Sequence, residues 1–440
     1  MKKRIIAILL VLCMCFSLVP AVGAEEPTLQ STIDMDKLVE HGISMFKALE
    51  AGGRYDTVVN TSVGCVGMGI MGWINSAALQ LLRWCGTESK GGDPEYCKSI
   101  LGEELFNEVM NAPIPSWCTN DLIPLWGYWG DREFTDEELA AASKLLGSEL
   151  GIRVQHNLAK LYITREAQNG WDAGVRTEAA LLYYCSAENH YGAYGVQSFM
   201  SAVRTALHYG TNTQITSLEA FHLGTKLGAQ AGTVSTYDYR TRVYHYIKDT
   251  LQLPTGVPFT DLPSEDHWAY DAIIWAYTTP SRVTAGTTTT TFSPDLILDR
   301  AQAVTFLWAA AGRPTPTSNV NPFEDVSEGD WFYTPVLWAV EHHYTAGTTA
   351  TTFSPEITVT TSQMLTFLWA LAGRPSAGSG GNPFQDVSSG DWFYTPVLWA
   401  SHAGLLVGNE GHGKLLEPDT PCSRAYVVTY LFHYFMNAEH

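Results

Sequence analysis

Apolar positions along this chain follow one continuous run and several helical rhythms. The run, Ile5 to Val19, follows Lys2, Lys3 and Arg4 and closes on Ala21-Val22-Gly23-Ala24. That is the layout of an export signal cleaved after Ala24. A retained anchor is the alternative, for which the run is short against the roughly 20 residues that cross a bilayer; nothing after residue 26 could span a membrane. Farther along, Val39, Ile43, Phe46 and Glu50 step by four, three and four, predicting a helix stopped by Gly52-Gly53. Gly64, Gly67, Gly69 and Gly72, closing on Trp73, predict a small irregular hairpin. Helix resumes at Ala77 to Leu82, a further helix opens at Thr135-Asp136-Glu137-Glu138, and Leu181, Tyr184 and Glu188 put a carboxylate on another apolar stripe.

From residue 258 the rhythm becomes a repeat. Openings at Pro258-Phe259-Thr260-Asp261, Pro322-Phe323-Glu324-Asp325 and Pro383-Phe384-Gln385-Asp386 are followed by Trp268, Trp331 and Trp392. Residues 329 to 339 and 390 to 400 are the same run, Gly-Asp-Trp-Phe-Tyr-Thr-Pro-Val-Leu-Trp-Ala. Such repetition means one supersecondary unit stacked on its neighbours. Each unit predicts a first helix (Ala269 to Tyr277, Tyr333 to Glu341), a Gly-Thr turn and a Thr-Phe-Ser-Pro segment. A second helix then opens with a capping box at Asp299-Gln302 or Thr360-Gln363 and ends at Gly-Arg-Pro. Its body, Ala303 to Ala311 or Met364 to Ala372, is apolar all round and belongs among other helices. The third copy diverges most and opens its second helix at Ser423-Arg424.

The boundaries that follow are a signal at 1–24, an N-terminal domain at 25–252, a linker at 253–257 and repeats at 258–316, 321–376 and 382–440. With 26 basic and 45 acidic side chains the formal charge is −19, or −22 without the three basic residues of the signal. An exported acidic chain is not a nucleic-acid binder. Cys65, Cys85, Cys97, Cys118 and Cys185 admit either one or two bridges or free buried thiols; Cys422 stands apart. No Cys-x-x-Cys follows the signal, and His156, His190, His208 and His222 show no metal-ligand spacing, so no metal or cofactor is implied.

The repeats resemble the surface-layer homology (SLH) domain family, whose three units surround a central bundle of second helices and bind secondary cell-wall polysaccharide. In many members an Arg at the start of the second helix meets an anionic pyruvyl ketal. The matching residues are Arg300 and Arg424, while Thr361 replaces Arg in the second repeat. A helix N-terminus and a bidentate guanidinium both suit a carboxylate. Trp268, Trp331 and Trp392 are candidates for stacking on sugar, with burial between helices the commoner fate of such residues.

A Glu closing the first helix, a Gly-rich hairpin ending in Trp, and the segment Tyr183 to Gly192 resemble the lysozyme-like superfamily, in particular phage-associated wall hydrolases. The expected fold is therefore mainly α: a lysozyme-like α+β domain with a small hairpin, then three repeats around a helical bundle. The resemblance implies hydrolysis of peptidoglycan or a related amino-sugar glycan, with Glu50 as general acid. An apolar stripe and a negative helix end both disfavour its ionised form. Asp56 is the candidate second carboxylate and Glu188 its rival. Trp117, Trp126, Trp129 and Trp171 could line a cleft or fill the core. The alternatives are a wall-anchored module that only binds glycan or protein, and, more remotely, an array-forming surface-layer subunit.

Overall fold

Local signals set the helix ends. In the computed structural model, which describes residues 27–62, 64–113, 132–408 and 414–437, the N-terminal part holds ten α-helices among the described residues. They are α1 (Leu29–Thr32), α2 (Met35–Glu50), α3 (Asn75–Cys85), α4 (Pro94–Leu101), α5 (Glu103–Asn111), α6 (Asp136–Leu146), α7 (Glu149–Asp172), α8 (Glu178–Ala206), α9 (Leu218–Gln230) and α10 (Tyr237–His245). The Thr135 box forms as expected, with Thr135 and Glu138 capping α6 reciprocally. The long helices α7 and α8 form the centre, with α2 packed on both and α9 on α8. Gly192, at φ 72° and ψ 168°, breaks α8 internally, so Glu188 lies one turn before that break.

The glycine-rich stretch folds as the expected hairpin with one strand more. Strands β1 (Val58–Asn60), β2 (Val66–Met68) and β3 (Trp73–Ile74) form an antiparallel sheet in that order, with Val58 opposite Met68 and Gly67 opposite Ile74. The sheet is pinned to the helices by Gln155 of α7, whose Oε1 accepts from the Ile70 N–H at 3.1 Å. Asn189 of α8 pins it as well, donating to the Met71 carbonyl at 3.2 Å.

In the C-terminal part the first helices are α11 (Tyr270–Thr278), α13 (Tyr333–Glu341) and α15 (Tyr394–His402), and the second helices are α12 (Arg300–Ala310), α14 (Thr361–Leu371) and α16 (Arg424–Asn437). The second helices touch one another, and each is covered by the first helix of the following repeat: α13 on α12, α15 on α14 and α11 on α16. Backbone bonds run the same circuit, Leu298 N–H to Cys422, Val359 N–H to Leu298 and Cys422 N–H to Val359, so the three repeats close into a ring. The Asp of each opening motif does the same local job. Asp261 accepts the N–H groups of Phe292 and Ser293, Asp325 those of Phe353 and Ser354, and Asp386 those of Leu416 and Glu417. The described chain is thus mainly helical, and no described helix is long and apolar enough to cross a membrane.

Candidate functional site

Glu50 is the last residue of α2, which stops where Gly52 and Gly53 take positive φ. Its Oε1 accepts a hydrogen bond from the Tyr239 hydroxyl of α10. Burial raises the Glu50 pKa above the ordinary carboxylate value; the Tyr239 bond and the Arg240 and Arg242 charges pull it back only in part. Gly72 stands beside it, such that a Cβ there would lie 3.6 Å from Glu50 Oε2. The carboxyl is therefore held between α10 and the turn that leads into β3.

Neither candidate partner carboxylate is coupled to Glu50. Asp56 is gripped by Arg54, Nε to Oδ1 and Nη2 to Oδ2 both at 2.8 Å, and this pairing lowers its pKa. Glu188 is 3% exposed, accepts from Asn169 at 2.8 Å, and lies beside Glu166 of α7, itself 1% exposed. Burial raises both pKa values, and among the described residues Oε2 of each lacks a hydrogen-bond partner. Glu166 was legible as the continuation of Leu158 and Tyr162 at steps of four. Tyr239 and Arg240 carry a fainter mark, a cationic aromatic stretch from Tyr237 to Arg242 in an acidic chain.

Among the other candidates, Trp171 is buried under the Arg176 guanidinium. Trp117, Trp126, Trp129 and Cys118 lie outside the described residues. Cys65, Cys85, Cys97, Cys185 and Cys422 are free buried thiols. His156 meets Tyr55 at 2.7 Å, and half-buried His222 has its pKa pulled to about 3 chiefly by desolvation. No described cluster of His, Cys, Asp or Glu could hold a metal ion.

In the repeats, Arg300 and Arg424, the helix-start residues matched to an anionic ligand, are each only 4% exposed. The reason is ring closure: each reaches across to a neighbouring repeat. Arg300 Nε donates to the Phe353 carbonyl at 3.0 Å, with Phe353 and Phe367 rings 4.9 and 5.3 Å from the guanidinium carbon. Arg424 Nε donates to the Phe292 carbonyl at 2.7 Å and Nη2 to Thr284 at 2.9 Å. Burial lowers the Arg424 pKa to about 10 and lowers that of Arg300, against the pull of Asp261 and Asp325 respectively. Among the described residues the buried Arg300 Nη2 has no hydrogen-bond partner. At the third position Thr361 donates to the Thr420 carbonyl at 3.2 Å and lies 3.8 Å from the Cys422 sulfur.

Trp331 and Trp392 are 61% and 64% exposed, against the expectation of burial between helices. The Phe that follows each, Phe332 or Phe393, packs on the core and turns the indole outward. Trp268 differs because Tyr426 of the third repeat stacks on it at 4.7 Å.

Comparison with known proteins agrees on the C-terminal part. Residues 258–304, 322–365 and 383–425 match the S-layer homology domain. An endoglucanase from Bacillus sp. (strain KSM-635) is 34% identical over 100 residues, 23% of this chain; the chain spans only a tenth of that relative's length. Three S-layer homology domains, modules that bind cell-wall polysaccharide and anchor proteins at the bacterial surface, therefore make up the C-terminal part of the chain.

Proposed function

We propose that this is an exported wall-anchored glycan hydrolase, with residues 1–24 as its signal and the N-terminal part cutting peptidoglycan or a related amino-sugar polymer. The observation that carries the reading is Glu50, a carboxyl whose pKa burial raises, placed at a helix end beside a glycine turn. A glycosidase requires such an acid to protonate the leaving oxygen. The second carboxylate must be ionised to activate water or face a developing positive charge. Asp56, held charged by Arg54, meets that condition better than Glu188, whose pKa burial raises. The endoglucanase match is too short to assign a substrate. Reducing-end release from purified peptidoglycan by the full exported chain, with Glu50→Gln beside it, tests the reading. Loss of release in the variant is expected, and equal release would overturn the role of Glu50.

One observation favours a non-catalytic glycan-binding module instead: Asp56 is engaged by Arg54, and no carboxylate among the described residues perturbs Glu50. A parent chain inactive on peptidoglycan and on chitosan-type polymers would select it.

For anchoring, Arg300 with its unpartnered Nη2, and Arg424, are assigned to an anionic group of the wall polysaccharide, a pyruvyl ketal being one such group, with Trp331 and Trp392 stacking on sugar. Arg300→Ala with Arg424→Ala should release the protein from isolated walls. Unchanged retention of a folded double variant would refute the assignment.

A further inference from the structure

The N-terminal part contains an arginine that the proposed mechanism does not use and that is fully buried. Arg240 is 0% exposed, yet among the described residues only its Nη1 makes a hydrogen bond, to Ser186 at 3.0 Å, and Nε and Nη2 find no partner. Its guanidinium carbon lies 4.6 Å from the centre of the Tyr239 ring and 5.6 Å from that of Tyr191. Desolvating a cation this far is costly unless the aromatic faces and the fixed geometry return something. What the geometry fixes is Tyr239. Its ring also meets Arg242 at 5.2 Å and stacks on His190 at 5.6 Å and 22°, and its hydroxyl reaches Glu50 Oε1.

We propose that Tyr239 is a positioning residue for Glu50: its hydroxyl makes Oε1 the acceptor and so places the acid's proton on Oε2, the oxygen beside Gly72, while Arg240, tethered to Ser186, and His190 hold the Tyr239 ring. The inference rests on reading Glu50 as a general acid. A protonated carboxyl has one carbonyl oxygen and one hydroxyl oxygen, and an O–H donor aimed at Oε1 selects which is which. As the glycosidic bond breaks, the Oε2 proton passes to the leaving oxygen. Water then supplies a hydroxyl to the sugar carbon and a proton to the enzyme, which restores the acid. The carboxylate formed in between is met by the Tyr239 hydroxyl and by the Arg240 and Arg242 charges, which favour it without outweighing burial. The Tyr239 hydroxyl stays protonated, since burial and Glu50 both raise its pKa.

The charged and titratable groups around the site come from several elements. Tyr239, Arg240 and Arg242 face Glu50 from α10. The pKa of His190 of α8 is lowered by desolvation and by the Arg240 charge. Lys47 lies one turn back on α2, over Tyr55 at 4.1 Å, and Tyr55 in turn bonds His156 of α7. The glycine turn brings none of its own.

The test is the titration of Glu50 itself, followed by carboxyl-13C NMR of the glutamate-labelled full chain and identified by the signal missing in Glu50→Gln. In Tyr239→Phe the midpoint should rise, because a bond that favours the ionised form is gone. On peptidoglycan, kcat should fall on the order of ten- to a hundredfold with KM nearly unchanged, and the alkaline limb of the rate profile should move up with the midpoint. A midpoint that stays put overturns the proposal, as does activity lost equally at every pH. If Tyr239→Phe does not fold, 3-fluorotyrosine at position 239 keeps the shape and strengthens the donor; the midpoint should then fall, and no change would be equally fatal. A parent chain that cuts no wall glycan refutes the hydrolase reading separately, since the titration does not depend on cleavage.

Discussion

Gly347 and Gly373 stand in the same repeat with almost the same φ, +80° and +79°, and their surroundings differ. A Cβ at Gly347 would sit 2.4 Å from the Thr352 carbonyl oxygen, 2.5 Å from Phe323 Cε1 and 2.8 Å from the Thr349 carbonyl oxygen. At Gly373 it would meet nothing within 4 Å. Both Gly→Ala changes carry the left-handed penalty of about 1 kcal/mol. Gly347→Ala must in addition displace the Thr352 carbonyl, which accepts from Thr348 at 2.8 Å and Thr349 at 3.3 Å, and push the buried Phe323 ring. At about 1 kcal/mol for each weakened bond, plus repacking of the ring, the total is about 3–4 kcal/mol against about 1 for Gly373→Ala. Guanidinium unfolding followed by tryptophan fluorescence measures the difference. The turn also carries the Phe353 carbonyl that receives Arg300, so only Gly347→Ala should weaken sedimentation with isolated walls. Equal costs for the two variants would refute the claim that close backbone approach, rather than conformation alone, demands Gly347.

Three further outcomes follow from the same geometry. On the hydrolase reading Glu50 acts as an acid, and burial lifts its pKa above 4.5, so hydrolysis should decline on an alkaline limb lying above that value, read from a kcat profile. Glu166 and Glu188 both have folded pKa values raised above 4.5. Their contribution to stability is therefore fully present below the unfolded value and lost as pH rises through the folded ones; Glu188→Gln should flatten that slope in denaturant titrations across pH 4–8, values set on the order of the carboxylate range. Trp331→Ala with Trp392→Ala should leave stability within about 0.5 kcal/mol while weakening wall retention, because both indoles face solvent.

What the sequence made legible was local. Capping boxes at Asp299 and Thr360 and the glycine stop after Glu50 depend on residues within a turn of one another, and each stands where its neighbours require. What it concealed was closure over distance. Arg424 reads as a helix-start cation until the ring brings Phe292 to it across 132 positions, and Tyr239 meets Glu50 across 189. The exposure of Trp331 and Trp392 was hidden for another reason: in a Trp-Phe pair at a helix entrance only one ring can face inward, and composition does not say which. The third strand escaped because Trp73 and Ile74 are too short a run to show alternation.

The join between the two parts has a consequence for how such a protein works on a wall. The segment expected as a linker, residues 253–257, is bound to the start of α9: Leu218 N–H and the Ser217 hydroxyl both donate to the Thr255 carbonyl, at 2.7 and 3.0 Å. Beyond it, Glu219 accepts from Tyr244 and from Tyr270 at 3.1 Å, Lys226 pairs with Asp271 at 2.6 Å, and the Tyr209 hydroxyl donates to the Thr278 carbonyl at 2.7 Å. Glu219 is 4% exposed, so these bonds satisfy a carboxylate removed from water and cannot slip without leaving it stranded. A flexible tether would let the N-terminal part search a volume that grows with linker length. Here α11, the first helix of the ring, is also a wall of the N-terminal part, and the pose of the ring on its polysaccharide fixes the direction in which Glu50 faces. On the hydrolase reading, reach is then set by where the anchoring polymer stands relative to the glycan strands, and cleavage is confined to strands lying at one distance and angle from it.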